Sequence, residues 1–177
     1  SGDWSSDVCS SDLATDPIVF TSSQADPAPG AWAGIGILPQ STDAHIDSAG
    51  NYLSGTIFEH VIVSHAGING TNGSIEVTNA AVFFNHVSVE NSGSSGIVIV
   101  GQSGEGEIPL SKITNSILKD NNGYGLRVNA YRLYGAVSIH NSLVTQNAQG
   151  GITTSGGDSG GRHVFEYIGN TVVNNGG

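Results

Sequence analysis

The groups in this chain able to do acid–base or ligand chemistry are few. Glu105 and Glu107 share one stretch, Glu90 and Asp120 flank a turn, and Asp158 stands further on. Two carboxylates held roughly 5 to 9.5 Å apart are what hydrolysis of a glycosidic bond needs, one as acid and the other as base or nucleophile. None of these acids forms an adjacent pair in sequence, and the alternative is that they are solvated loop acids, the ordinary setting for Asp and Glu. Arg127 is the candidate base for removing a proton alpha to a uronate carboxyl, a reaction that would also want calcium held by several carboxylates. The alternative for it is an exposed structural arginine. Tyr124, Tyr131 and Tyr134 bracket Arg127 and Arg132, so 124–134 is the stretch best suited to contact a sugar, since rings with polar tips suit half-wet surfaces. The same tyrosines would equally serve to cover an edge. His60 and His86 raise a metal site, but zinc wants three or four ligands, and the expectation is a polar ladder with no metal.

The elements that must position these groups come from a repeat. Five rows align: Phe58-Glu59-His60-Val61-Ile62-Val63, Phe84-Asn85-His86-Val87-Ser88-Val89, Ile113-Thr114-Asn115-Ser116-Ile117-Leu118, Ile139-His140-Asn141-Ser142-Leu143-Val144 and Ile168-Gly169-Asn170-Thr171-Val172-Val173. Their anchors, His60, His86, Asn115, Asn141 and Asn170, lie 26, 29, 26 and 29 residues apart. A period of about 20–50 residues indicates a solenoid or propeller. Ile97, Leu126 and Ile152, each after a glycine, all fall 11 residues past an anchor. Each coil therefore reads as a strand ending at the anchor, a second just after it, and a third opening at the Gly-apolar pair. On the third strand Ile75, Val77, Ile97, Ile99, Leu126, Val128 and Ile152 alternate with Glu76, Val98, Arg127 and Thr153, which predicts a core face and a solvent face. A second ladder is expected through Asn121 and Asn147. Insertions at 101–106, 130–134 and 155–161 all leave after the third strand, and insertions on one side of a solenoid often build its binding face.

Upstream, Ile18-Val19-Phe20-Thr21 and Trp32-Ala33-Gly34-Ile35-Gly36-Ile37 read as strands joined by a Pro- and Gly-bearing turn, while 43–54 is polar and less regular. Residues 3–13, Asp-Trp-Ser-Ser-Asp-Val-Cys-Ser-Ser-Asp-Leu, resemble the translation of a sequencing-library adapter. The expected division is thus a non-native tail at 1–13 and one domain at 14–177, and Cys9 carries no redox information. The chain has 26 glycines in 177 residues and only 11% charged residues, a composition of short strands and tight turns. Its formal charge of −10, or −7 without Asp3, Asp7 and Asp12, with only five Lys and Arg, argues against a nucleic-acid partner. No apolar run is long enough for a membrane span.

Rows with an Asn-apolar segment, a downstream Asn and a Gly-apolar strand resemble right-handed parallel β-helix proteins of the pectate-lyase-like type. The segments at 16–22 and 29–35 are similar to the opening coils of bacterial secreted or surface β-helix repeat proteins. The resemblance implies an all-β, right-handed parallel β-helix over 14–177, incomplete, with more coils following and the signal peptide missing. It implies an extracellular or cell-surface location and a polysaccharide or surface glycan as partner. It does not choose a chemistry, because such folds carry lyases, hydrolases and inactive adhesins alike. The leading expectation is a glycan-binding or adhesive domain, with a polysaccharide lyase or glycoside hydrolase as the alternative. Gly157-Asp158-Ser159-Gly160-Gly161 matches the surroundings of the nucleophilic serine in trypsin-like proteases, but Arg162 follows where those have Pro and no matching His motif lies upstream, so Ser159 is read as part of a Gly/Ser-rich loop.

Overall fold

The computed structural model describes residues 14–68, 73–101, 107–130, 134–156 and 163–176. The adapter-like tail, Glu105, Tyr131, Arg132, Asp158 and Ser159 lie outside the described residues. The described chain is all strand and loop, without a helix. In order the strands are β1 (Ile18–Phe20), β2 (Ile35–Ile37), β3 (His45–Ile46), β4 (Tyr52–Ser54), β5 (Ile57–Ser64), β6 (Gly73–Thr78), β7 (Phe83–Glu90) and β8 (Ser95–Gly101), followed by β9 (Glu107–Thr114), β10 (Ile117–Lys119), β11 (Tyr124–Ala130), β12 (Tyr134–His140), β13 (Leu143–Thr145), β14 (Gly150–Gly156), β15 (His163–Ile168) and β16 (Thr171–Val173).

These strands wind into a parallel β-solenoid. One sheet stacks β2, β6, β8, β11 and β14, and the other runs from β1 through β5 and β7, then along β9, β12 and β15 on one side of a bend and β10, β13 and β16 on the other. Ile75, Ile97, Leu126 and Ile152 stack in register, so three full turns separate the first from the last. The core half of the alternation on this strand holds: Ile75, Ile97 and Leu126 are fully buried, and Val77, Ile99 and Val128 are buried with them. From the other sheet Phe84, Ile113 and Ile139 supply one buried file and Val63, Val89, Leu118 and Val144 another. Because each file repeats apolar residues at sheet spacing, a buried side chain meets an apolar neighbour above and below.

The corners explain the Asn and His anchors. His60, His86, Asn115 and Asn141 have φ of 51°, 53°, 51° and 49°. This left-handed conformation costs most L-residues roughly 1–2 kcal/mol, whereas Asn tolerates it through its short polar side chain. Five residues on, a second bend repeats the conformation at His65, Asn91, Asp120, Gln146 and Asn174. The anchor expected at Asn170 is corrected by one position. His140 pairs with Ile168, so Gly169, with φ of 64°, completes the file below Asn141. Asn170 belongs to the neighbouring file, where its Oδ1 accepts from the Ser142 backbone N–H at 2.9 Å. A glycine at the corner frees the polar residue to serve elsewhere. Asn115→Gly is therefore expected to leave stability within about 0.5 kcal/mol, whereas Asn115→Val should lose roughly 1–2 kcal/mol, as read by chemical denaturation.

Inside the second corner runs the asparagine ladder, and it is longer than the pair Asn121 and Asn147. Asn147 Oδ1 accepts from the Asn121 N–H at 3.3 Å and from Asn121 Nδ2 at 2.8 Å. Asn175 Oδ1 receives the equivalent pair from Asn147 at 3.0 and 2.9 Å. Ser92 donates its N–H to Asn121 Oδ1 at 3.1 Å, which makes it the rung above. Each amide nitrogen also returns a bond to strand carbonyls, those of Leu118 and Thr145 in the case of Asn147. A buried polar column of this kind is stable only because its amides are partnered.

The polar stretch at 43–54 forms the antiparallel hairpin β3–β4 and lies outside the coil. It covers the outward-facing Phe83, against which Tyr52 packs with ring centres 5.6 Å apart. Three bonds fasten it: Asp43 Oδ1 accepts from the Ala81 N–H at 2.7 Å, the Ala44 N–H donates to the Ala81 carbonyl at 3.0 Å, and Lys112 Nζ donates to the Gly50 carbonyl at 2.8 Å.

Candidate functional site

Arg127 sits in the middle of β11, in the outward file with Glu76, Val98 and Thr153. Its Nε donates to Asn129 Oδ1 at 3.2 Å, and Ser155 Oγ donates to the same oxygen at 2.9 Å. Asn129 is itself buried, so the guanidinium is braced by a side chain that cannot easily move. The ion pairs among the described residues join Lys119 to Glu90 and Asp120 and His140 to Glu166; Arg127 takes part in none of them. Val98 departs from the expected solvent face, being 0% exposed. Its Cγ2 lies where a Cβ on Gly73 would come to 2.7 Å, so the start of β6 closes over it. The outward strip is thus a charged residue on either side of a covered apolar one.

Tyr124 opens β11 on the same strand and is half-buried. Its ring lies over Gly150 of the next strand, where an added Cβ would come within 2.9 Å of Cε1. Ring and guanidinium therefore stand three residues apart along one strand. Tyr134 opens β12 and pairs in register with Glu107 at the start of β9, so these two are neighbours in the other sheet.

Asp120 occupies the second left-handed bend, with its carboxylate 3.7 Å from Lys119 Nζ. Lys119 meets Glu90 more closely, at 3.0 Å. Hydrogen bonding to Glu90, then the charge of that carboxylate, hold the Lys119 pKa above its ordinary 10.5. A raised folded pKa means the stabilisation is complete below the unfolded value and fades as pH climbs through the folded one. Both groups are partly exposed, so solvent screening limits the gain to about 0.5 kcal/mol or less. Urea unfolding between about pH 9 and 11.5 should show a small loss of stability in the native chain and a smaller one in Lys119→Met, the window being set by the ordinary lysine value of 10.5.

Sequence reasoning missed His140 and Glu166, whose Nε2 and Oε2 are 2.9 Å apart on the outer face of β12 and β15. The signal was the register: two residues before the end of β15, Glu166 falls opposite Ser138, diagonal to His140. The anchor histidines are close, as expected of a ladder. The rings of His60 and His86 stack with centres 4.9 Å apart and planes 8° from parallel. Outside them the first corner carries a polar row in which Asn85 donates to Glu59 at 2.7 Å and Asn115 donates to Asn85 at 2.9 Å. Among the described residues no cluster of three or more His, Cys, Asp or Glu is placed to hold a metal ion.

The chain matches no family model, no curated protein and no solved structure.

Proposed function

We propose that this chain is a β-helical repeat domain of right-handed, pectate-lyase-like type, secreted or displayed at a cell surface, that binds glycans on the outer face of the sheet containing β11. The observation that carries the reading is Arg127, held on a flat sheet by the braced amide of Asn129, outside any ion pair of the described residues, with the Tyr124 ring three positions away. A guanidinium presents donors in a fixed fork and a tyrosine presents a face and a hydroxyl, the combination that sugar hydroxyls and ring faces require. The acidic charge and the five basic residues favour a glycan over nucleic acid.

The test is binding of the full chain to a polysaccharide panel, with and without calcium, following retention together with unsaturated products and reducing ends. Retention that falls about tenfold, or ~1.4 kcal/mol, in Arg127→Ala and Tyr124→Ala at unchanged melting temperature supports the reading. No retention on any polysaccharide, or retention indifferent to both changes, overturns it. Turnover that is lost in Arg127→Ala would replace it with a polysaccharide lyase or hydrolase.

A further inference from the structure

We infer that Asn122 is a deamidation site gated by one backbone rung of the solenoid, so that the chain is modified there when that rung opens. Asn122 is exposed, and its side-chain amide makes no hydrogen bond to any of the described residues. Gly123 follows it, and a glycine after asparagine leaves the side-chain carbonyl carbon open to attack by the next backbone nitrogen. Packing fixes that glycine, since a Cβ there would lie 2.6 Å from both the N and the Oγ of Ser95. The attacking nitrogen is engaged in the closed coil. The Gly123 N–H donates to the Ser94 carbonyl at 2.8 Å, and the Asn122 N–H donates to the Ser92 carbonyl at 2.9 Å. In the other described Asn-Gly step, Asn175-Gly176, the amide is tied into the asparagine column, with Nδ2 donating to the Val144 and Val173 carbonyls at 2.9 and 3.0 Å.

The reaction needs only water. The Gly123 nitrogen gives up its proton and bonds to Cγ of Asn122, the Cγ–Nδ2 bond breaks, and ammonia leaves with that proton, closing a succinimide ring. Water then opens the ring at one of its two carbonyls, giving aspartate, or isoaspartate in which the main chain runs through Cβ. While Ser94 holds the N–H, its proton is harder to remove and the nitrogen is aimed at the neighbouring coil. The reaction therefore proceeds from the open state, and its native rate is the unfolded rate scaled by the fraction of time the rung is open. Isoaspartate adds one atom to the main chain between two N–H groups that bond the previous coil, and it adds a negative charge to a chain already at −10. The modified coil cannot re-form both rungs, so a reversible opening becomes a permanent one.

Lys119 and Arg127 bracket the site, so trypsin releases 120–127, whose asparagines are Asn121 and Asn122. The experiment incubates the full chain at mildly alkaline pH, native and in urea, and digests it briefly under mildly acidic conditions. Mass spectrometry with fragmentation then reads which amide in 120–127 has become an acid, and hydrogen exchange reads the opening of the Gly123 N–H. Conversion is expected at Asn122, slower in the native chain than in urea by at least about tenfold, and slowed by the same factor as exchange at Gly123. Urea below the unfolding transition should speed both together. Conversion as fast in the native chain as in the unfolded one, conversion that stays flat while Gly123 exchange rises, or conversion at Asn121 instead overturns the assignment. The solenoid also supplies a mild variant. Gly93, Ala148 and Gly176 hold the place of Asn122 in the other coils, each donating its N–H to the coil before, so Asn122→Ala should keep the native melting temperature while 120–127 stays unconverted. Conversion that persists in this variant counts equally against the site.

Discussion

Replacing Asn147 with alanine is expected to lower the stability of the domain by roughly 3–5 kcal/mol, more than any change on its surface. Asn147 is fully buried, and its amide nitrogen serves the carbonyls of Leu118 and Thr145 and the Oδ1 of Asn175. Its Oδ1 takes both the N–H and the side-chain amide of Asn121. Alanine leaves these groups in a cavity at the centre of the column, and each orphaned buried polar group costs about 1–3 kcal/mol. Urea unfolding followed by far-UV circular dichroism reads the loss, which in a domain of this size moves the melting temperature by roughly 10 °C. A loss below about 1 kcal/mol would mean that the column is not what holds the corner together. Asn147→Ser should be milder, because Ser92 fills the equivalent place one end of the ladder up and turns its hydroxyl to the Ser95 carbonyl at 3.0 Å.

Gly125→Ala is expected to cost about 2–3 kcal/mol, the upper part of the usual range for overpacking. A Cβ there would lie 2.6 Å from Val144 Cγ1, 2.9 Å from Asn147 Nδ2 and 2.9 Å from the Gly151 carbonyl, and none of these can retreat. The reason is a rule of the coil. Gly96, Gly125 and Gly151 each face the ladder asparagine of the next coil, at 3.0, 2.9 and 3.0 Å from its Nδ2. Ser74 occupies the matching register position opposite Gly96, and the next coil there carries Ser92 in place of an asparagine. Gly125→Ser should therefore be partly rescued by Asn147→Ser, a coupling of roughly 0.5–3 kcal/mol in a double-mutant cycle. Strict additivity would refute the rule. Gly36→Ala, with nothing within 4 Å of the added carbon, is the control expected to change stability by less than about 0.5 kcal/mol.

What could be read from the residues follows from the same physics. The first corner was legible because Asn and His recur where the backbone turns left-handed, and the third strand because Gly before an aliphatic residue recurs at a fixed distance. The slip at Asn170 arose because Gly169 can take the corner as well as asparagine can, so the polar residue one place on drew the alignment. The second corner stayed hidden, since His65, Asn91, Asp120, Gln146 and Asn174 share a conformation and not a residue type. The burial of Val98 depends on Gly73 of the previous coil, a contact no periodicity within one strand encodes. For the candidate site, the sequence placed Arg127 on the third strand and Tyr124 just before it, but had no means of pairing Arg127 with Asn129 and Ser155, or His140 with Glu166, because those contacts depend on which side chains one turn happens to set beside the next.

The corners also divide each turn into a part that keeps time and a part that does not. From the first left-handed corner to the second, His60 to His65, His86 to Asn91, Asn115 to Asp120, Asn141 to Gln146 and Gly169 to Asn174, the count is five residues every time, whereas the return from there to the next first corner takes 21, 24, 21 and 23. Phase is reset at each left-handed residue, so whatever length is spent on the return leaves no error for the following turn to inherit. A foreign peptide spliced into the return would be carried at a known height and bearing along the rod, as a flag is carried on a ruled mast, while the graduations above and below it stay where they were.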